Sequence, residues 1–132
     1  QSRSSAASDV YKRQLVDRAE ALGMVAVAEV RTPQEADRAL AAGVGVIAVN
    51  HWTFDTNALN PSAFAEIAPG LPSEVIKISL GGVTTPRDLI DAAACGADAV
   101  LAAEAVMAAG DVLAATRALA TAGQHPACPS RR

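Results

Sequence analysis

Aromatic side chains are scarce in this 132-residue chain: 3% of the sequence, with a single Trp and a single Tyr. Apolar content built instead from Ala, Val, Leu and Ile suits small helices packed closely on Val/Ile strands, so an α/β fold is expected and a β-sandwich is not. Cysteine is limited to Cys95 and Cys128, and neither stands in a CxxC pair. Two isolated thiols exclude a disulfide framework and make a reducing, cytoplasmic compartment the expectation. No apolar run approaches the roughly 20 residues needed to cross a bilayer, and the N-terminus carries no hydrophobic signal core, so neither anchor nor secretion signal is expected. Charge of one sign is also lacking. The formal net charge is −3, with acids and bases interspersed. This leaves no basic stripe for nucleic acid and no polybasic face for a membrane. A small molecule is the expected partner.

What is present is enough apolar material, 51% of residues, to bury the core of one ordinary domain. Residues 1–14 stand apart: a Ser/Ala-rich start without apolar periodicity, read as a foreign or disordered leader. From Leu15 the pattern becomes regular. Leu15, Ala19 and Leu22 recur at helical spacing, and Gly23 closes the segment as a glycine after a helix should. Residues 24–30 are a short, nearly all-apolar run, the mark of a strand buried on both faces. Thr32, Pro33 and Glu35 resemble a capping box with proline at the first helical position, opening a helix that stops at Gly43.

The unit then repeats. Residues 44–49 read as a second buried strand, followed by a long polar stretch over residues 50–60 and a helix from about Pro61. Ala68-Pro69-Gly70-Leu71-Pro72 breaks that helix, and residues 75–79 read as the third strand. Gly81 and Gly82 follow at once. Thr85, Pro86 and Asp88 start another helix by the same logic, Gly96 ends it, and residues 99–102 form the fourth strand. A final helix is expected over residues 111–122, then an irregular, mobile tail over residues 124–132.

Strands alternating with helices in this way mean parallel strands joined by crossover helices. An open dinucleotide-binding sheet would show GxGxxG after its first strand, and Val30-Arg31-Thr32-Pro33 does not. In a (β/α)8 barrel, polar residues gather just past the strand C-termini, as Glu29, Asn50, Gly81 and Gly82 do. Such a barrel takes about 250 residues, so residues 15–123 supply a half-barrel of four strands.

The sequence resembles the indole-3-glycerol phosphate synthase family in its actinobacterial form, over the C-terminal half of that barrel. Residues 15–24 and 35–43 carry the likeness, as do Ile67-Ala68-Pro69-Gly70-Leu71-Pro72, Gly96-Ala97-Asp98-Ala99-Val100-Leu101 and the ending Thr121-Ala122-Gly123-Gln124-His125-Pro126-Ala127-Cys128-Pro129. The resemblance implies ring closure with decarboxylation of a carboxyphenylamino-deoxyribulose 5-phosphate, with no cofactor and no metal. It implies a catalytic carboxylate at Glu29 and a substrate-orienting Asn50. It further implies phosphate contacts at Gly82, preceded by Gly81, and at Ala103 and Glu104 near the last strand. The family's catalytic lysines belong to strands upstream of this segment.

Departures accompany the matches. Trp52 stands where the family usually has arginine, Leu80 and Gly81 where it has a carboxylate and a serine, and Ala103 where it has glycine. Losing a charged partner in a dry pocket costs on the order of 2–4 kcal/mol, or tenfold to a thousandfold in rate. Two rivals follow: a non-catalytic barrel that binds a phosphorylated ligand, and a different phosphate-binding barrel enzyme.

Plainer readings exist for each residue. Glu29 could be satisfied by a neighbouring cation, Asn50 could be a turn residue, and the glycine pair could be a plain turn. Lys77 invites a Schiff-base role, but its parity with Leu80 sets it on the face opposite the lumen. His125 and Cys128 are too few for a metal site. Trp52 is either a wall for the substrate or a loop anchor. Two unpaired strand edges and an apolar face should also drive pairing with a complementary half-barrel, or self-association.

Overall fold

Both threonine–proline pairs begin helices. Thr32 caps a helix over Pro33–Ala41, its Oγ1 accepting the Glu35 amide at 3.2 Å. The Glu35 carboxylate accepts from the Arg31 amide at 2.7 Å, one residue earlier than a capping box would have it. Thr85 caps a helix over Pro86–Ala94 with both halves of the box in place: Asp88 N to Thr85 Oγ1 at 3.2 Å, and Thr85 N to Asp88 Oδ2 at 2.8 Å. Proline suits the position after each cap because its missing N–H would have no partner within the helix. Partial burial pushes the Asp88 carboxyl up, but hydrogen bonds from Thr84 and Thr85 outweigh it and hold the group below the ordinary carboxylate range.

A computed structural model of the chain describes residues 2–53, 56 and 58–128. In chain order the elements are α1 (Ser2–Ala21), β1 (Val27–Val30), α2 (Pro33–Ala41), β2 (Val46–Asn50), β3 (Trp52–Thr53), β4 (Ala58–Leu59) and α3 (Ala63–Ile67). There follow a short 3-10 turn (Ala68–Gly70), β5 (Ile76–Leu80), α4 (Pro86–Ala94), β6 (Ala99–Leu101), α5 (Ala103–Met107) and α6 (Val112–Ala122). Four strands form one sheet in the order β1-β2-β5-β6, every pair parallel. This is half of a (β/α)8 barrel, as the alternation of apolar runs and capped helices predicts.

Register decides which side chains share a face. Glu29 lies opposite Ala48, Asn50 opposite Leu80, and Leu80 opposite Leu101. Val30, Ile47 and Val49 point the other way and make the core with Ala36 and Ala39 of α2 and Ala63, Phe64 and Ile67 of α3. Ile47 and Val49 are fully buried. The opposite face would line the lumen of a closed barrel, and its large apolar side chains are open: Val27 is 52% exposed, Ile76 40% and Leu101 51%.

Several expectations need correction in detail. Helix α1 begins at Ser2, so the described residues of the stretch read as a foreign or disordered leader are helical. Apolar periodicity reports a buried face rather than helicity itself, and Val10, Tyr11 and Leu15 are all more than half exposed. β1 starts at Val27, where pairing with Val46 begins; Met24 and Val25, read as strand, are exposed. The polar stretch after β2 holds a small antiparallel hairpin, β3 with β4, and α5 lies between β6 and α6. Neither is visible as a period, because each is too short to complete one. In the tail, residues 124–128 form turns, and residues 129–132 lie outside the described residues.

Candidate functional site at the strand C-termini

The first pair of candidates meets at the C-terminal end of the sheet. Glu29 and Asn50 sit on adjacent parallel strands, and the Asn50 Nδ2 donates to Glu29 Oε1 at 2.9 Å. The asparagine's orientation is fixed by its other end, whose Oδ1 accepts the Trp52 amide at 2.9 Å. Arg31 completes the group. Its guanidinium donates through Nη2 to the same Glu29 oxygen, forming an ion pair, and through Nε to the Trp52 carbonyl at 3.1 Å. Glu29, Arg31, Trp52 and Asn50 therefore close a ring of hydrogen bonds. The neighbouring-cation reading of Glu29 and the substrate-site reading describe the same carboxylate: one oxygen is engaged and the group stays 43% exposed toward the lumen side.

The second set gathers beside Trp52. A cavity of about 450 Å³ is lined by Trp52, Leu59, Gly82, Thr84, Glu104 and Ala105, among others. Gly82 and Glu104 thus share one hollow, whereas Ala103 opens α5 as an exposed residue and does not line it. Gly81 and Gly82 both hold positive φ, at 73° and 72°, a region that side-chain-bearing residues rarely adopt. Space is also short. A Cβ on Gly81 would lie 3.3 Å from the Trp52 ring, and one on Gly82 would lie 2.9 Å from the His51 ring. The Gly81 amide donates to Leu101 O at 3.1 Å and so is engaged within the sheet. Among the described residues the Gly82 amide has no such partner, which leaves it as the better donor to a ligand.

Under this rim lies a buried polar pair that sequence reasoning missed. His51 and Ser79 follow and precede lumen-facing residues, so both face the helices, and both are buried. His51 Nδ1 donates to the Asn60 carbonyl at 3.0 Å, since a carbonyl can only accept. His51 Nε2 pairs with Ser79 Oγ at 3.1 Å. With the Asn60 amide donating to His51 O at 2.8 Å, this closes the base of the hairpin loop and holds Trp52 over the glycines. Arg31 was also missed, although it shares Glu29's pleat parity one step beyond the strand end, and that parity is the signal that could have found it.

Lys77 points away from the site: its Nζ donates to Pro72 O at 3.1 Å, at the other end of the strand from Leu80. Leu80 presents an apolar, half-buried side chain on the lumen face beside Asn50. Among the described residues no group of three or more His, Cys, Asp or Glu side chains could hold a metal ion, and no helix is long and apolar enough to cross a membrane.

A family model described as indole-3-glycerol phosphate synthase matches residues 4–119. An indole-3-glycerol phosphate synthase of Mycobacterium leprae is 53% identical over 115 residues, covering 87% of this chain and 42% of that protein. Another, from Saccharopolyspora erythraea, is 46% identical over 125 residues, covering 95% of this chain and 46% of the relative. The chain therefore spans less than half the length of these relatives. Among solved structures, one titled "Native KDPGal structure" superposes with a TM-score of 0.64 at 20% identity, covering 85% of this chain and 54% of that one, a likeness of fold alone.

Proposed function

The chain belongs to the indole-3-glycerol phosphate synthase family, and from that premise we propose that its rim is the C-terminal share of a site that turns 1-(2-carboxyphenylamino)-1-deoxyribulose 5-phosphate into indole-3-glycerol phosphate. Carbon dioxide and water leave as the ring closes. The observation that carries this reading is the hydrogen bond of Asn50 to Glu29 across neighbouring parallel strands, at the end of the sheet where such barrels do chemistry. Glu29 offers its second oxygen to a proton in transit, and Asn50 orients the substrate. The Gly82 amide, with Glu104 across the same hollow and Ala103 beside it at the start of α5, takes the phosphate, and Gly81 contributes its turn rather than its amide.

The chemistry also needs a cationic acid at the sugar carbonyl, a role the family gives to lysines of earlier strands; here Lys77 points away, and Lys12, on α1, borders the cavity along β1 that Glu29 also lines. That acid comes from upstream strands, so the 132-residue chain by itself does not turn over the substrate. Its open lumen face and unpaired edges are covered by a complementary half-barrel or, in isolated material, by another copy. Work in the cytoplasm on a phosphorylated metabolite, without nucleic acid or membrane, fits the charge pattern.

Leu80 favours a second reading, in which the barrel binds a phosphorylated ligand without converting it, because an apolar side chain beside Asn50 cannot hydrogen-bond a substrate hydroxyl. One experiment separates the two. Residues 15–132 are fused behind the upstream half of the Mycobacterium leprae relative and assayed for indole formation. Turnover that Glu29→Gln lowers at least about tenfold supports the enzyme. Binding of the substrate without turnover supports the second reading, and neither binding nor turnover would overturn both.

A further inference from the structure

Arg31 is the cation bound to Glu29 at the rim, and its contacts reach three separate pieces of chain. Its amide is held by the Glu35 carboxylate in the first turn of α2, at 2.7 Å. Its guanidinium grips Glu29 at the end of β1 and the Trp52 carbonyl at the start of the hairpin. Because the Trp52 amide is bound in turn by Asn50, both polar backbone groups of Trp52 are fixed by the same ring. The indole of Trp52 then lies against Gly81, within van der Waals reach of where its Cβ would be, and forms a wall of the hollow that Gly82 and Glu104 share.

We propose that Arg31 is a positioning residue. It commits Glu29 Oε1 to a structural contact, so that only Oε2 faces a ligand, and it clamps the hairpin so that Trp52 walls the glycine turn. Its planar fork is what makes this possible, since Nε and Nη2 serve two acceptors in a fixed geometry that a lysine ammonium does not reproduce. The Arg31 side chain is only 19% exposed while Glu29 is 43% exposed, so the pair is anchored from the arginine side. The inference rests on the proposed site only for its purpose; the clamp itself exists without substrate.

Trp52 is the only tryptophan, which makes its fluorescence a direct reporter. In the full chain, Arg31→Gln should move the emission maximum to longer wavelength and raise acrylamide quenching, with far-UV dichroism unchanged. Arg31→Lys, which keeps the charge but loses the fork, should behave like Arg31→Gln. Arg87→Gln, which removes the exposed Arg87–Asp91 pair on α4, should leave emission unchanged and serves as the control. Wild-type emission in Arg31→Gln, or full rescue by lysine, would overturn the clamp. A wild-type chain that takes up no inorganic phosphate would count against the site reading and not against the clamp, which the tryptophan reports with no ligand present.

Discussion

At the scale of single residues, glycine positions that share one backbone conformation differ in what surrounds them. Gly23 and Gly82 have φ of 76° and 72°, yet a Cβ at Gly23 meets nothing within 4 Å, whereas at Gly82 it meets the buried His51 ring at 2.9 Å. Gly23→Ala should therefore cost only the backbone term, about 1 kcal/mol, and Gly82→Ala should cost about 2–4 kcal/mol, because His51 cannot move without releasing Ser79 and Asn60. Paired chemical denaturation curves check the difference; equal losses at the two sites would contradict it. Asp88 gives a pH-dependent counterpart. Its folded-state value lies below the ordinary 3.8, so its contribution is present at neutral pH and is lost as pH falls through the carboxylate range and below. Asp88→Asn should flatten that part of the stability profile between about pH 5 and pH 2, measured as the melting midpoint against pH. The effect should be small, because the group faces solvent in part.

At the scale of elements, Thr85→Ala tests the cap of α4 by removing the acceptor of the Asp88 amide, and should cost about 1 kcal/mol in the same denaturation assay. That cap was legible in the sequence, as were the four parallel strands, because buried strands and capped helices write their physics into a few neighbouring residues. Ile47 and Val49 are fully buried, and an apolar run is the composition that suits a strand covered on both faces. The rim was legible in part. Glu29 and Asn50 could be named from their places after apolar runs, but the Arg31 clamp could not, since it depends on which residues of β1 and of the loop after β2 come level across the sheet. The His51–Ser79 pair was hidden for the same reason: the partners are 28 positions apart, and nothing local to either signals the other. The part of α1 before Leu15 escaped notice because its described apolar residues, Val10 and Tyr11, are exposed and mark no buried face.

At the scale of the whole molecule, the lumen face of the sheet is the surface most in need of a partner. Val27, Ile76 and Leu101 are each at least 40% exposed on one continuous side, and β1 and β6 are edge strands with unpaired backbone groups. Isolated chain should therefore sediment as dimers or larger species, and Ile76→Lys with Leu101→Lys should shift it toward monomer without loss of helical dichroism. A wild-type chain that sediments as a single monomer at micromolar concentration would count against this. The strand order carries one more consequence. Every strand in the sheet pairs only with the one before or after it in the chain, so no pairing has to wait for a distant segment. The search that precedes each pairing spans a single crossover, and a chain emerging from a ribosome could add its strands one at a time, each onto a neighbour already in place.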